Sequence, residues 1–288
     1  HPAARDLLEA DVATRVIGAR AMATSLHLRE VLDELGAGSM GVVSRARDRR
    51  TGEQIAIKRL HALEPSALLA LKTEFRLFAD LHHPNVVRLD ELIEDRGQWV
   101  ITMELVLGEN FVRWVRGGRG DGSDDTLPGG PVDLDRLRAA FGQLVDGLEA
   151  IHGAERVHRD LKPSNVLVER TGRVVILDFG LADQRDASRP RHDGLTGTIG
   201  YMAPEVVRGG AVGAKADWYA VGCLLYECLT ARLPFDGAPL EIMHAKVERA
   251  PLAPSTWAPV PDDLEELCLD LLAREPERRP GAREVRGR

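Results

Sequence analysis

The sequence contains little cysteine and no long apolar run. Its three cysteines, Cys223, Cys228 and Cys268, lack the spacing of metal ligands, and their odd number predicts reduced thiols in a cytoplasmic setting. No uninterrupted apolar stretch approaches the ~18 residues of a membrane-spanning helix, and the N-terminus has no signal-peptide pattern. The net charge of -7 argues against a nucleic-acid-binding surface, because such a surface has to be basic.

Lysine is also scarce, since five lysines stand against 33 arginines. Where arginine is the usual cation, a retained lysine indicates a need for a compact ammonium group rather than a planar guanidinium fork. Lys58 ends the apolar run 55–57, and Lys162 lies in the polar segment 158–165. These two lysines are therefore candidates for a chemical role.

The length of 288 residues and the hydrophobic content of 44% allow a large core, as one large domain or as two lobes. The chain begins at His1 without an initiator methionine and ends at Arg288, so we expect a piece of a longer polypeptide whose regulatory domains lie elsewhere. The arginine-rich and alanine-rich usage favours a bacterial genome that is rich in G and C.

The first part of the chain is rich in predicted strands. Residues 1–25 carry spaced apolar positions that predict a helical N-terminal extension. Short apolar runs separated by turn residues then predict antiparallel strands. Four apolar residues at helical spacing predict a helix over residues 66–81, and Glu74 falls on the same inward stripe. The predicted strands are 31–35, 42–46, 54–58, 86–92 and 99–105.

The second part of the chain is rich in predicted helices, which begin after Gly108. Residues 117–131 are rich in Gly, Asp and Ser, and they predict a flexible insertion. The contrast between the two parts predicts an α+β fold with two lobes, residues 26–106 and residues 107–288, and a cleft near residues 104–108. The predicted helices are 134–151, 217–230, 239–249 and 262–273.

A glycine motif lies early in the strand-rich part, at Gly36, Gly38 and Gly41. Glycines let the backbone approach phosphate oxygens closely and offer its N–H groups. The same spacing occurs in dinucleotide-binding sites and in ordinary turns, but a dinucleotide site needs a helix directly after the glycines. Here residues 42–46 resemble a returning strand, so we expect a hairpin tip that covers phosphates.

Lys58 is a candidate for contact with those phosphates. Strand alternation places Lys58 on the same face as Ala56, so both face a nucleotide pocket if Ala56 lines one. The alternative is an exposed structural lysine. Glu74 argues against that alternative, because a buried carboxylate without a partner is costly and Lys58 is the natural cation.

A polar cluster is predicted around a hairpin over residues 166–177. Folding of this hairpin brings Asn165 and Asp178 together at its open end, where amide and carboxylate oxygens suit Mg²⁺. Asp160 is then placed to receive the proton of an attacking hydroxyl, and Lys162 can neutralise a γ-phosphoryl group. The alternative is an ordinary turn with polar caps, which leaves the agreement of so many positions unexplained.

Together these motifs resemble a eukaryotic-type, or Hanks-type, serine/threonine protein kinase domain over residues 28–284. The resemblance implies a two-lobed protein kinase fold, with a small antiparallel sheet lobe that includes one regulatory helix and a larger, mainly helical lobe. It implies that Lys58, Glu74, Asp160 and Lys162 are catalytic. The motifs that carry it are the glycine loop, residues 55–58, Glu74, residues 158–165, 178–180, 203–205 and 217–222, and Arg279.

The resemblance also implies a set of binding and supporting residues. It implies that Glu205 pairs with Arg279 and that Asp217 braces the catalytic loop. Asn165 and Asp178 are the implied metal ligands. Six residues would surround adenine, with Val43, Ala56 and Leu167 on its faces, Met103 behind it and the backbone of Glu104 and Val106 at its edge.

The acceptor class is also implied by resemblance. Lys162 follows Asp160 by two residues, and Gly197-Thr198 precedes the run 201–205, as in serine/threonine kinases. Tyrosine kinases usually carry a different cluster in the catalytic loop. We therefore expect protein substrates with serine or threonine acceptors, within signal transduction.

Regulation is expected in an activation segment over residues 178–205. Arg159, just before Asp160, suggests activation by a phosphate in this segment, with which an arginine could pair. The position that often carries this phosphate falls near residues 193–194, which have no hydroxyl. The hydroxyl residues considered are Thr196 as the site of autophosphorylation, Ser188 as a second candidate and Thr198 as a structural support of Asp160.

The expected cosubstrate is ATP with Mg²⁺, for which Mn²⁺ is a candidate substitute. Two alternatives remain. A pseudokinase scaffold is disfavoured because every catalytic position is filled. A small-molecule phosphotransferase of related fold is disfavoured because the segment 203–205 and the preceding 197–198 build a peptide-binding rim in protein kinases.

Overall fold

The computed structural model describes residues 26–38, 40–62, 65–117, 130–178 and 199–288. The chain divides into two compact units. The first unit holds the described residues up to Asp80 together with Arg88–Leu105, and the second holds Leu81–Val87 and the described residues from Val106 onwards. The predicted N-terminal extension and most of the predicted insertion lie outside the described residues.

The first unit is a five-stranded antiparallel sheet with one long helix. The strand order is β1-β2-β3-β5-β4. The helix, α1, packs on β4 and buries Leu71, Phe75 and Phe78, which are three of the four residues of the predicted apolar stripe, while the fourth, Leu68, is half-buried. The elements are a short 3-10 helix at Leu26–Leu28, β1 Arg29–Gly38, β2 Gly41–Asp48, β3 Gln54–Leu60, α1 Pro65–Ala79, β4 Leu89–Asp95 and β5 Gln98–Glu104.

The strand predicted over residues 86–92 begins later than expected, at Leu89. Val86 forms a parallel bridge to Ile176, and the Val87 N–H donates to the carbonyl of Ile176 at 2.9 Å. These contacts tie residues 81–87 to the second unit, although they precede the lobe boundary that the sequence predicts.

The second unit is mainly helical. Its central helix, α5, is buried on all sides from Ala216 to Thr230 and carries two buried acids, Asp217 and Glu227. Within the described residues, no helix is both long enough and apolar enough to span a membrane. The helices are α2 Phe111–Val115, α3 Leu134–Gly153, α4 Pro204–Val207, α5 Ala214–Thr230, α6 Pro239–Glu248, α7 Asp262–Leu271 and α8 Ala282–Arg286, with 3-10 helices at Pro163–Asn165, Pro254–Thr256 and Pro276–Arg278.

A three-stranded sheet also belongs to the second unit, in the order β6-β7-β8. The hairpin predicted over residues 166–177 is confirmed by the antiparallel pairing of its two strands. The helical character expected after Gly108 begins with α2 at Phe111, and the short strand β6 precedes it. Gly108 pairs closely with the neighbouring strand, and an added Cβ would lie 2.4 Å from the carbonyl oxygen of Val168. The strands are β6 Gly108–Asn110, β7 Val166–Glu169 and β8 Val174–Ile176.

Candidate active site

The predicted catalytic loop, residues 158–165, is anchored by a buried histidine. His158 is fully buried, and its Nδ1 accepts the N–H of Asp160 at 3.2 Å. The proton therefore resides on Nε2, which donates to the carbonyl of Leu177 at 2.7 Å. This single ring joins the loop to the residue that precedes Asp178.

The backbone of the loop is held by Asp217, which is 1% exposed on α5. Its Oδ2 accepts the N–H of His158 and its Oδ1 that of Arg159, each at 2.8 Å. The Nε2 of His152 lies 2.8 Å from the same Oδ2. Arg159 has a left-handed backbone with φ 70, which is unfavourable for a residue other than glycine, so these bonds hold a strained loop. The brace implied by the resemblance is confirmed as a contact.

Three predicted site residues meet at the carboxylate of Asp160. The Nζ of Lys162 donates to Oδ2 at 2.8 Å. The Nδ2 of Asn165 donates to the same Oδ2 at 2.9 Å and to the backbone carbonyl of Asp160 at 2.8 Å. The carboxylate is thus fixed between a cation and an amide, in a half-buried position. An acceptor held in this way can bind a hydroxyl proton without first rearranging.

The two predicted metal ligands lie at the open end of the β7–β8 hairpin. The Leu177 N–H donates to the backbone carbonyl of Asn165 at 2.8 Å. This bond continues the pairing of the two strands, so Asn165 lies opposite the residue that precedes Asp178. Asp178 has a left-handed φ of 46, which aspartate tolerates better than most residues. The amide nitrogen of Asn165 is committed to Asp160, and its Oδ1 receives a long hydrogen bond of 3.4 Å from the Ser164 hydroxyl. An amide oxygen has two lone pairs, so this oxygen retains capacity for a cation.

Gln143 on α3 holds the hairpin from outside, and sequence reasoning missed it. Its Oε1 accepts the side-chain Nδ2 of Asn85 at 3.0 Å and the N–H of Val174 at 3.1 Å. Its Nε2 donates to the carbonyl of Gly172 at 2.8 Å. Asn85 also donates to the carbonyl of Val174 at 2.8 Å. These partners are 29 to 89 residues apart, so no local pattern points to them.

The glycine motif forms a hairpin in the first unit, as predicted. Gly38 on β1 pairs with Gly41 on β2, and Gly36 pairs with Val43. A Cβ added at Gly41 would lie 1.9 Å from the carbonyl oxygen of Arg59, so this glycine is required by packing. A Cβ added at Gly36 or Gly38 would meet no described atom within 4 Å. The space beside these two glycines is therefore open in the described chain, and their contact with phosphates stays a prediction.

Lys58 and Ala56 share one face of β3, as strand alternation predicts. Ile55 and Ile57 point to the opposite side, where they join a core cluster with residues of β2, β4 and β5. Lys58 is 6% exposed, and its Nζ lies 4.0 Å from the sulfur of Met40. Its pairing with Glu74, which is half-buried on α1, stays a prediction.

The predicted adenine residues are divided between the two units. Val43 is a half-buried residue of β2, where it pairs with Gly36 of β1 and with Lys58 of β3. The N–H of Glu104 donates to the carbonyl of Arg88 at 2.9 Å. The adenine pocket stays a prediction. Its members are Val43, Ala56, Met103 and Glu104 in the first unit, and Val106 and Leu167 in the second.

The end of the predicted activation segment is fixed by an ion pair between a buried arginine and a half-buried glutamate. Arg279 is 1% exposed, and its two terminal nitrogens bind the two carboxylate oxygens of Glu205 at 2.7 Å each. The remaining guanidinium donors reach the carbonyls of Ala273, Arg274 and Lys215. All five donors are therefore used, and the predicted pair is confirmed. Residues 179–198, with the candidates Ser188, Thr196 and Thr198, lie outside the described residues.

Glu227 on α5 is a buried acid that contacts the same segment through Tyr201. Tyr201 donates a short hydrogen bond to the carboxylate of Glu227, which is 5% exposed. Burial raises the pKa of Glu227 to about 7, against the lowering effects of the Tyr201 hydrogen bond and the charge of Arg116. Burial likewise raises the pKa of Tyr201, with the Glu227 charge as the next cause. This acid was not singled out from the sequence.

Known proteins resemble this chain over most of its length. The profile of one family, described as the protein kinase domain, matches residues 29–287. A probable serine/threonine-protein kinase of Streptomyces coelicolor, SCO3848, is 34% identical over 257 residues, which are 85% of this chain and 37% of that protein. The serine/threonine-protein kinase PkaA of the same organism is 35% identical over 269 residues, 87% of this chain and 47% of that protein.

A relative from another bacterium agrees with these. The serine/threonine-protein kinase PrkC of Bacillus subtilis is 30% identical over 255 residues, which are 86% of this chain and 37% of that protein. The chain thus spans less than half the length of these three relatives.

Proposed function

This chain belongs to the protein kinase domain family, and from that premise we propose that it transfers the γ-phosphoryl group of Mg-ATP to serine or threonine hydroxyls of protein substrates. The observation that carries the proposal is the carboxylate of Asp160. It is oriented by Lys162 and Asn165 on a loop whose backbone is braced by Asp217. Such an arrangement supplies positioning and charge stabilisation, which are the main contributions to phosphoryl transfer.

The proposed roles follow from the chemistry of each group. Asp160 accepts the proton of the attacking hydroxyl, and Lys162 offsets the negative charge of the phosphoryl group in transfer. Lys58 binds the nucleotide phosphates under the glycine hairpin, and Glu74 orients Lys58. In each proposed role, the charge of the side chain suits the group that it would contact.

Asn165 and Asp178 would hold the divalent cation of the nucleotide. One amide and one carboxylate are typical of Mg²⁺, which is usually shared between a few protein oxygens and substrate phosphates. When bound, the cation neutralises phosphate charge. We propose Mg²⁺ with Mn²⁺ as a substitute, since both accept hard oxygen ligands.

The test is transfer from γ-labelled Mg-ATP to a generic protein substrate, compared with transfer to a panel of metabolites. We expect label in protein, and we expect Asp160→Asn to lower the rate by about 10²- to 10⁴-fold, since a general base contributes on that order. Nucleotide binding by the variant, measured by calorimetry, controls for folding. Absence of turnover with intact nucleotide binding would indicate a pseudokinase, and label in metabolites alone would indicate a small-molecule phosphotransferase.

The regulation, location and partners of the full-length protein are proposals as well. The greater length of the relatives supports further domains that regulate this one. Autophosphorylation at Thr196 stays a prediction. The cytoplasmic location is supported by three free, buried cysteines, Cys223, Cys228 and Cys268.

A further inference from the structure

Lys246 on α6 is a buried lysine that the proposed reaction does not use. Its side chain is among the largest fully buried ones, at 1% exposure. Its Nζ donates to the carbonyl of Gly200 at 2.8 Å and to that of Met202 at 2.9 Å. These carbonyls flank Tyr201 and come directly before the segment 203–205. One ammonium group therefore sets the direction of two peptide planes.

Aromatic rings surround this ammonium group. The Nζ of Lys246 lies 4.8 Å from the ring centre of Tyr219 and 5.9 Å from that of Phe235. The guanidinium of Arg279 lies 5.0 Å from the same Tyr219 ring, and Arg279 binds Glu205. One buried ring thus contacts the two cations that hold successive parts of one segment. Ring faces attract cations, which offsets part of the cost of burying them.

The same short segment is also held by its side chains. Ile199 is buried in a cluster with Phe235, Ile242 and Ala245, so α6 contacts the start of the segment through apolar packing. Tyr201 is bonded to Glu227 on α5. Lys246 binds the carbonyl of Gly200 between these two anchors and that of Met202 just after them, so it fixes the main chain where the side chains do not.

The choice of lysine fits the site. Only five of the 38 basic residues of the chain are lysines, and this one is buried at a cost, since burial lowers the pKa of Lys246. A compact ammonium has donors in three directions and can reach two nearby carbonyls between two rings, whereas a guanidinium is a larger planar fork. A buried cation retained under these conditions indicates a specific task.

We propose that Lys246 is a positioning residue for the protein substrate, which holds the main chain of residues 199–202 in the course that receives the acceptor peptide. The inference rests on the proposed kinase function, in which the segment before Ala203 forms the peptide-binding rim. Lys246 does not touch the reacting atoms. Its loss should therefore impair peptide binding and leave nucleotide chemistry intact.

The test replaces the ammonium and keeps the length of the side chain, with Lys246→Met. We expect the KM for a peptide substrate to rise at least about tenfold, because two hydrogen bonds from a charged donor are lost. The KM for ATP and the rate of ATP hydrolysis without peptide should change by less than about twofold. His244→Ala, an exposed position on the same helix, is the matched control and should leave all three values unchanged.

Hydrogen exchange gives a readout that does not depend on activity. In Lys246→Met we expect amides of residues 199–207 to exchange at least about tenfold faster, while those of α7 stay protected as a control for folding. Lys246→Gln retains amide donors for the carbonyls, and it carries the test, with a smaller expected effect, if the methionine variant does not fold. An active wild type with unchanged peptide KM and unchanged exchange in both variants overturns this inference alone. A wild type that transfers no phosphate to protein contradicts the proposed function instead.

Discussion

The catalytic loop and the glycine hairpin are both predicted to meet the nucleotide, but they are built in opposite ways. In the loop, Asp160 is bonded to Lys162 and Asn165, and Asp217 holds the backbone. In the hairpin, all residues of β1 after Arg29 are exposed, and the space beside Gly36 and Gly38 is open.

The two designs follow from what each region contributes. A group that accepts a proton has to be oriented before the substrate arrives, because reorganisation during the reaction slows it. A backbone that wraps phosphates needs room, and it gains its remaining contacts from the ligand. A substitution that removes a protein contact of the loop should therefore lower turnover. A substitution that fills the open space beside the hairpin should weaken nucleotide binding.

Apart from the change at Asp160 itself, the largest effect is expected from Asp217→Asn, which alters the brace of the loop. An amide cannot accept from all three donors, His152, His158 and Arg159, and its NH₂ group faces one of them. We expect the turnover number to fall about 100-fold through misplacement of Asp160. The free energy of unfolding should fall by about 1–3 kcal/mol, measured by urea denaturation.

A matched control for this change is Asp263→Asn. Asp263 forms an exposed ion pair with Arg138 at 2.6 Å, and exposed pairs contribute little. Its free energy of unfolding should stay within about 0.5 kcal/mol of the wild type. Equal activity of the Asp217 and Asp263 variants would show that the loop does not need its brace.

The next two predictions compare the effects of substituting two glycines of the hairpin. Gly41→Ala would place a Cβ 1.9 Å from the Arg59 carbonyl, so the sheet has to shift, and we expect the free energy of unfolding to fall by about 1–3 kcal/mol. Thermal and urea unfolding measure this loss.

The smallest effect on stability is expected from Gly36→Ala, where the added Cβ meets open space. The free energy of unfolding should stay equal or rise by up to about 1 kcal/mol, because alanine restricts the unfolded chain. The Kd for Mg-ATP should nevertheless rise several-fold, measured by calorimetry, because the methyl group occupies room left for phosphates. If Gly36→Ala destabilises the fold as Gly41→Ala does, the contrast within the hairpin is lost.

Local patterns predicted the elements of the site well. The hairpin of residues 166–177 follows from two apolar runs around a turn, and the helix with Glu74 follows from its apolar stripe. The expected partners of Asp217 and Glu205 came from the resemblance rather than from spacing, and the structure contains both contacts.

Other features have no local signature. Lys246 reaches carbonyls 44 and 46 residues away, and Gln143 binds Asn85 across 58 residues. Such contacts arise only when distant elements pack, so spacing along the chain does not reveal them. The short strand β6 was missed for a similar reason, since it is defined by pairing with β7 rather than by its own composition.

The Mg²⁺ dependence of nucleotide binding, compared between wild type and Asp178→Asn, is the sharpest test of the proposed metal site. A cation shared between this carboxylate, the amide of Asn165 and a triphosphate should tighten binding of a non-hydrolysable ATP analogue when magnesium is added. We expect the variant to lose most of that increment while its magnesium-free affinity stays close to that of the wild type. If Asp178→Asn keeps the whole increment, residues 165 and 178 do not hold the metal, and the proposed site is wrong.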